Sequence, residues 1–496
     1  MKKYGLIIGV IILIFAMSSC SKRSTTGAGD DLSQRVNLTM WVLGDPAPKH
    51  DEVMENLNKL LIEKINATLK VNYLSWGDFG AGMYPLLFSS GEDLDMVYTA
   101  TWLNWSELAR RGAFKDLTEL WPKYAPKNFA RQSQTALYQA TVNGRLFCIP
   151  TLMATYSAYG LIFRTDLNLP GWDGKMENFV DIERYLAAVK ANNPQFEPLD
   201  VAFEGSQMDD LFMFYNKMYA VKGATNDFLF IDPFQSNPKL FTYYEYAKTP
   251  EFLDMMDRWN RAGYFSKSAL SDSESSKLSN GIAASTIHNI DTYEGQFRDY
   301  PERKMRWLNL VTDVSNLSFT QDALAIAQTS KNPERALMLW DLITNDEQVY
   351  RAFYYGIEGK SYTISREGGR EIITPINTTD YYFSNCWASR TNEFHLPTAG
   401  APPDLAAHKA SYDAHITDGV GAQKFRSFVL DTSSVETEYA TLNNVHRQYL
   451  WPLELGFVDV RTGLREYQQR MEAAGIERVR EVLQSQLDAY LREIAK

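Results

Sequence analysis

Three aromatic groups in the first third of the chain have the chemistry to contact a ligand. They are Trp41 with Asp45, Trp76 with Asp78, and Trp102 with Trp105. An indole ring offers a flat apolar face, and a carboxylate accepts hydrogen bonds at defined angles. A sugar ring presents apolar C–H faces and a rim of hydroxyl groups, so this pattern favours a carbohydrate site. The alternative is that these tryptophans are core residues near strand ends.

The elements around these residues are typical of a parallel α/β sheet. Alternating apolar residues predict strands at Val36–Leu43, Thr68–Leu74 and Leu94–Tyr98, and three- and four-residue spacing predicts a helix over Asp51–Ile65. With a short helix around Met83–Ser89, the order β-α-β-α-β implies parallel strands with helices on both faces. Ligands of such sheets lie beyond the carboxyl ends of the strands, which is where the three aromatic groups fall.

A second α/β region follows Pro150. We expect strands at Leu161–Phe163 and Val201–Phe203 with a helix over Asn178–Lys190 between them. Further helices are expected at Pro250–Ala262, Asn332–Ile343, Val435–Tyr449 and Ile476–Ile494. The last helix carries its apolar residues on one stripe, which indicates core packing.

The first twenty residues are typical of an export signal. Lys2 and Lys3 precede an apolar run over residues 4–17, which is shorter than the roughly 20 residues of a membrane-spanning helix, and Ser18, Ser19 and Cys20 follow. The last three residues resemble the lipobox of bacterial lipoproteins, so we expect a signal peptide over residues 1–19 and lipidation of Cys20. The alternative is an ordinary secreted protein cut near Ser19. Residues 20–35 are polar and predict a flexible tether.

Composition limits the function further. The chain has 496 residues, of which 45% are hydrophobic and 13% aromatic, so it can bury large cores and predicts two or more lobes. Removing Lys2 and Lys3 with the signal changes the formal charge from −11 to −13, because two positive charges leave; this argues against nucleic acid as a partner. Three cysteines and six scattered histidines indicate no metal or other cofactor, although a bridge between Cys148 and Cys386 stays open.

Several motifs along the body resemble one family. They are Trp41–Asp45, Tyr73–Asp78, Ser90–Asp95, Thr99–Trp102, Asn143–Phe147, Ile149–Pro150, Tyr355–Lys360, Trp451–Pro452 and Ala474–Ile476. Their collinear order resembles the extracellular solute-binding proteins of ABC importers, in the oligosaccharide-binding class (family 1), and most closely the LipO-type lipoproteins with their characteristic C-terminal region.

The resemblance implies a periplasmic-binding-protein-like type II fold: two α/β lobes, a hinge, an interlobe cleft and a helical C-terminal region. It implies one lobe from residues 36–152 plus 289–328 and another from 153–288 plus 329–496. The chain would cross between them near Thr151–Ser157, near His288–Asp291 and near Thr329.

Residues at such crossings face the cleft, and the resemblance therefore adds further candidate ligand contacts to Trp41, Asp45, Trp76, Asp78 and Trp102. The additions are Tyr156, Tyr159, Asn289, Asp291, Tyr293, Tyr355, Glu358 and Trp387. The alternatives are stacking inside a lobe for the tyrosines and a solvated turn for the loop at Tyr355–Lys360.

The sequence therefore predicts a binding protein without catalytic residues. By resemblance, it captures an oligosaccharide outside a bacterial cell and delivers it to ABC permease subunits, held as a monomer on the outer face of the membrane by its lipid alone. A secreted glycosidase is the main alternative, because a cleft with paired carboxylates also describes such an enzyme. A binding protein for a peptide or another non-sugar solute is the third.

Overall fold

The computed structural model describes residues 31–80, 82–153, 155–201, 208–221, 228–272, 277–311, 314, 317–378, 380–381, 386–416, 421–425 and 428–495. The predicted signal peptide, the lipidation residue Cys20 and most of the predicted tether lie outside these ranges. So does most of the predicted strand Val201–Phe203.

The strands are β1 (Val36–Leu43), β2 (Ala67–Leu74), β3 (Met96–Thr99), β4 (Thr141–Val142), β5 (Arg145–Leu146), β6 (Ile149–Pro150), β7 (Tyr159–Arg164), β8 (Tyr219–Ala220), β9 (Leu229–Ile231), β10 (Phe241–Thr242), β11 (Ser285–Asn289), β12 (Met305–Asn309), β13 (Ala323–Ile326), β14 (Tyr362–Glu367) and β15 (Arg370–Pro375). The helices are α1 (His50–Ile65), α2 (Trp76–Gly80), α3 (Trp105–Arg110), α4 (Leu120–Tyr124), α5 (Pro126–Arg131), α6 (Gln134–Gln139), α7 (Phe179–Asn192), α8 (Met208–Tyr215), α9 (Thr249–Ala262), α10 (Ile290–Asp299), α11 (Pro333–Asn345), α12 (Glu347–Tyr354), α13 (Leu405–His415), α14 (Glu436–Glu454), α15 (Val460–Ala473) and α16 (Ile476–Ile494). Short 3-10 helices include Thr101–Leu103, Phe319–Gln321 and Trp387–Ser389.

The first sheet has the strand order β2-β1-β3-β13-β6. Strands β1, β2 and β3 are parallel, as the β-α-β pattern predicts, and β13 runs antiparallel to its neighbours β3 and β6. Leu38, Met40 and Val42 alternate into the core because successive side chains of a strand point to opposite faces. The elements that pack around this sheet, including α1, α11 and α12, form lobe 1.

The second sheet has the order β11-β7-β12, with both outer strands antiparallel to β7. Gly160 is the second residue of β7, where a Cβ atom would overlap the Leu308 carbonyl oxygen and lie 2.7 Å from the Trp307 ring. The two strands approach this closely only because Gly160 has no side chain. Around the sheet, buried residues of α7, α9 and the C-terminal helices α14, α15 and α16 form the core of lobe 2.

Among the described residues, those that connect the cores of the two lobes are 151–153 with 155–157, 317–322 and 389–404. The first of these passages covers the residues of the expected crossing near Thr151–Ser157, and its role as part of a hinge stays a prediction. The other two differ from the expected crossings near His288–Asp291 and near Thr329. The physical reason is strand pairing: β11 and β12 both bond to β7, which keeps residues 285–309 in lobe 2, and α11 and α12 pack on the first sheet.

A small third cluster surrounds the β14-β15 hairpin and includes Tyr350, Tyr354, Tyr355 and Tyr362. Cys148 and Cys386 are both buried in lobe 1 and no disulfide joins them, so the bridge left open by the sequence is not formed. Within the described part of the chain, none of the helices combines the length and the apolar content that crossing a bilayer requires.

Candidate ligand-binding cleft

The carboxyl ends of β1, β2 and β3 meet at one edge of the first sheet because these strands are parallel. The segments that follow them start side by side: the Gly44 N–H donates to the Leu74 carbonyl oxygen at 2.8 Å. Asp45 follows Gly44 and is exposed, and Trp76 begins the short helix α2 two residues after β2. Trp102 lies in the 3-10 helix after β3. The fold therefore collects these residues at one edge.

Three tryptophans form one aromatic platform at this edge. The Trp76 ring stacks on Trp102 with 6.4 Å between centroids and lies 6.1 Å from Trp387. Phe79 and Tyr98 contact the same rings edge-on or tilted. Trp76 is 41% exposed, while Trp102 and Trp387 are partly buried behind it. We call Trp76, Trp102 and Trp387 the indole platform; it offers an open aromatic face held by rings beneath.

A chain of polar contacts runs from this platform into lobe 2. The Tyr98 hydroxyl donates to Asp322 Oδ1 at 2.6 Å, and Arg390 donates to Asp322 Oδ2 at 2.8 Å and to Asp291 Oδ2 at 3.2 Å. Asp322 and Arg390 lie in two of the passages between lobes, and Asp291 lies in α10 of lobe 2. The chain therefore ties lobe 1, two crossing segments and lobe 2 together.

The charges of this chain stabilise one another. Burial opposes the charged form of Arg390, but Asp322 and Asp291 outweigh it and raise the pKa of Arg390 above its ordinary value. Burial also opposes ionisation of Asp291, yet Arg390 and Lys409 hold the pKa of Asp291 below its ordinary value. Burial, and then the charge of Asp322, raise the pKa of the Tyr98 hydroxyl. At neutral pH Asp291 is therefore held ionised, Arg390 charged and the Tyr98 phenol neutral.

The crossing segment before β13 is also fixed against the platform. The Trp102 indole N–H donates to the Gln321 carbonyl oxygen at 3.0 Å, and the hydroxyls of Thr101 and Thr320 are 3.0 Å apart. A buried indole N–H without a partner would cost free energy, so this bond orients the Trp102 ring as well as satisfying it.

The comparisons with known proteins concern the fold and the family resemblance. A family model described as "Domain of unknown function (DUF3502)" matches residues 424–492. A "Carbohydrate ABC transporter substrate-binding protein" of Streptococcus pneumoniae is 23% identical over 506 residues, covering 99% of both chains. Among solved structures, the N-glycan transport solute binding protein of S. pneumoniae in complex with Man1GlcNAc has a TM-score of 0.76 at 21% identity, covering 92% of this chain and 100% of that one.

The chain has the two-lobe solute-binding fold. The alginate-binding protein AlgQ2 shares it, with a TM-score of 0.64 at 16% identity over 92% of this chain and 99% of that one. The predicted type II fold and the predicted resemblance to the oligosaccharide-binding class are confirmed.

Within the solute-binding fold, the structure brings together four of the sequence-predicted residues. Trp76, Trp102 and Trp387 form the indole platform, and Arg390 links Asp291 to it through Asp322 and Tyr98. Tyr156 also lies at a crossing: its hydroxyl donates to Asp413, and its ring lies 5.9 Å from Tyr412. Their contact with a ligand stays a prediction.

Other predicted residues lie at the same edge in supporting positions. Trp41 is half-buried in β1 against the core of lobe 1 and has no ring contact with the platform among the described residues. Asp78 is exposed, and its carboxylate accepts a hydrogen bond from the Ser75 hydroxyl at 2.8 Å, which fixes the start of α2.

The remaining predicted residues have structural partners elsewhere. Tyr159 stacks on Phe214 at 5.5 Å, and the Asn289 side chain caps α10 by accepting from the Thr292 N–H at 2.9 Å. Tyr293 is buried against Trp307 and donates to Asp404 at 2.9 Å.

Tyr355 is 2% exposed in the third cluster, where its hydroxyl accepts from the Leu396 N–H at 2.8 Å. Glu358 is exposed on the loop beside it. Stacking inside a lobe, which the sequence left open for the tyrosines at the crossings, describes Tyr293, and the solvated turn left open for the Tyr355 loop does not describe the buried Tyr355.

Sequence reasoning missed Asp322 and Arg390, which organise the cleft. Two signals were available. Asp322 directly precedes the small-residue strand Ala323–Ile326, and Arg390 ends the polar and aromatic stretch that begins before Trp387. Neither signal indicates that Asp322 and Arg390 pair with each other, because the two residues are 68 positions apart in the chain.

Proposed function

We propose that the protein is an extracellular solute-binding protein that captures an uncharged oligosaccharide between its lobes and hands it to the permease of an ABC importer. The observation that carries this proposal is the indole platform beside the polar chain of Tyr98, Asp322, Arg390 and Asp291, in a two-lobe fold. A stacked indole face fits the C–H face of a sugar, and the neighbouring carboxylates fit its hydroxyls.

The relatives support capture without chemistry. The curated relative is a substrate-binding protein, and the N-glycan transport protein was solved with mannose-containing glycans in two of its structures. Such proteins close around their ligand and open to release it.

The charge of the cleft supports an uncharged ligand. The single guanidinium of the polar chain is occupied by two carboxylates, so it offers little positive charge to an anionic sugar. Asp45 and Asp78 are exposed at the same edge and add negative charge. An anionic glycan would meet like charges in a partly desolvated space, which costs free energy.

Isothermal titration calorimetry against a matched glycan pair tests this proposal. We expect Man5GlcNAc to bind with a Kd near or below micromolar, about −8 kcal/mol, and an alginate oligosaccharide of similar length to bind at least tenfold more weakly. Incubation should release no new reducing ends. Turnover would support the glycosidase instead, binding of a peptide alone would support the third alternative, and equal binding of both glycans would refute the preference for uncharged ligands.

We also propose that the protein is a monomer held on the outer face of the bacterial membrane by a lipid on Cys20. The proposal rests on the signal-like N-terminus, with its short apolar run and Ser18-Ser19-Cys20. Cys20→Ser should move the protein from the membrane fraction to the medium, and light scattering of this variant should give the mass of one chain. Retention of the variant in the membrane fraction would contradict lipid anchoring.

A further inference from the structure

Two arginines of lobe 1 contact the C-terminal part of lobe 2. Arg110, the last residue of α3, donates to the Leu430 carbonyl oxygen at 3.1 Å and lies 3.8 Å from the Asp431 carboxylate. Arg111 pairs with Glu436 at 3.1 Å. None of these residues belongs to a passage between lobes, so the contact joins the lobes at a place separate from the hinge.

The lobe 2 side of this contact is held in place by hydrogen bonds within lobe 2. The Gln486 side chain of α16 accepts a hydrogen bond from the Asp431 N–H at 3.0 Å and donates one to the Asp431 carbonyl oxygen at 2.7 Å. The Asp431 carboxylate accepts from the Ser433 N–H at 2.9 Å. All of these bonds lie within lobe 2, so none of them depends on the contact with lobe 1.

The lobe 1 side is rigidly connected to the candidate site. Helix α3 begins at Trp105, three residues after Trp102 of the indole platform, and Trp105 and Leu108 are buried in the core of lobe 1. The Arg110 side chain is only 18% exposed. A ligand that stacks on the platform therefore sits on the same rigid body that carries Arg110 and Arg111.

We propose that these contacts are a closure latch, in which the C-terminal segment matched to the domain of unknown function stabilises the closed form by binding Arg110 and Arg111. The inference rests on the proposed function, since closure is assigned there to ligand capture. A contact made in only one of two states shifts the equilibrium toward that state by the free energy of the contact. The latch therefore slows ligand release without touching the ligand.

A charge exchange tests the latch. We expect Arg111→Glu and Glu436→Arg each to speed Man5GlcNAc release about tenfold in stopped-flow tryptophan fluorescence, because each places like charges across the contact. The double exchange Arg111→Glu with Glu436→Arg should restore release to within about threefold of the original rate. Arg478→Glu is the matched control, since Arg478 pairs at 3.1 Å with Glu438 inside lobe 2, and it should leave release unchanged.

Release at the original rate in both single variants, or failure of the exchange to restore it, would overturn the latch.

Cross-linking separates this failure from failure of the proposed function. In protein carrying Cys20→Ser, cysteines placed at positions 111 and 436 should be joined by a short bismaleimide whenever the lobes close, and Man5GlcNAc should raise the yield, while the buried Cys148 and Cys386 do not react. No cross-link either with or without glycan overturns the latch; a cross-link in a protein that binds no glycan supports the contact and refutes the oligosaccharide.

Discussion

Replacing Trp76 by alanine is the most direct test of the indole platform. A tryptophan side chain covers about 200 Å², and the 41% exposed fraction of Trp76 therefore leaves about 80 Å² for a ligand. At 25 cal/mol per Å², covering this area contributes about 2 kcal/mol, which is a Kd increase of about 30-fold when it is lost. Trp76→Phe keeps a ring in place and should recover most of the affinity.

The assay is titration calorimetry with Man5GlcNAc, accompanied by thermal unfolding of each variant. The buried part of Trp76 packs on neighbouring rings, so the alanine variant should unfold cooperatively with a free energy of unfolding lower by at most about 3 kcal/mol. Tyr215→Ala is the matched control, since Tyr215 is 47% exposed on lobe 2 beside Phe179. Unchanged affinity in Trp76→Ala, or an equal loss in Tyr215→Ala, would refute the platform.

Three further predictions concern the fold that supports the cleft. Arg390→Gln should lower the free energy of unfolding by about 3–5 kcal/mol in urea titrations, because it leaves the buried Asp322 carboxylate without its charged partner, and adding Asp322→Asn should recover part of this loss; no recovery would mean that the pair is not coupled. Burial raises the pKa of Asp210 well above its ordinary value, and its Oδ1 atom has no hydrogen-bond partner among the residues that the structure describes. Above about pH 4 the Asp210 carboxyl therefore keeps a proton in the folded form that it has lost in the unfolded form, so Asp210 lowers the free energy of unfolding as pH rises. Asp210→Asn removes this titration and should reduce the difference in unfolding free energy between pH 5 and pH 8. An unaltered difference would contradict the assignment. Gly160→Ala should lower the free energy of unfolding by about 1–3 kcal/mol or more in the same titrations, because the new methyl group would overlap the Leu308 carbonyl oxygen. An unchanged free energy of unfolding would contradict the close approach of the two strands.

The first half of lobe 1 could be predicted from the sequence because local patterns determine it. The strand Val36–Leu43 has the predicted bounds, and the helix predicted at Asp51–Ile65 starts one residue earlier, at His50. Alternation and helical spacing report which face is buried, and the β-α-β order then fixes parallel pairing.

The hinge could not be predicted in the same way, because it depends on pairing between distant residues. A strand such as Ser285–Asn289 has the same local pattern whether it pairs in lobe 1 or in lobe 2, and only its bonds to β7 decide. The candidate site shows the same limit. Tyr293 and Trp76 are both aromatic residues near strand ends, yet one is 1% exposed and the other 41%.

The position of β13 has a consequence for how the protein reaches its native state. This strand lies between β3 and β6, and its Leu324 pairs with Tyr98, which precedes it by more than two hundred residues. Until residues 323–326 are available, β3 keeps an unpaired edge, and such edges recruit other chains. Closing so long a loop costs conformational entropy before the contacts that stabilise it have formed, which slows folding. Lobe 1 therefore cannot be obtained by shortening the chain before residue 326, and a refolding experiment should show lobe 1 completing its sheet only after the intervening segment has been ordered.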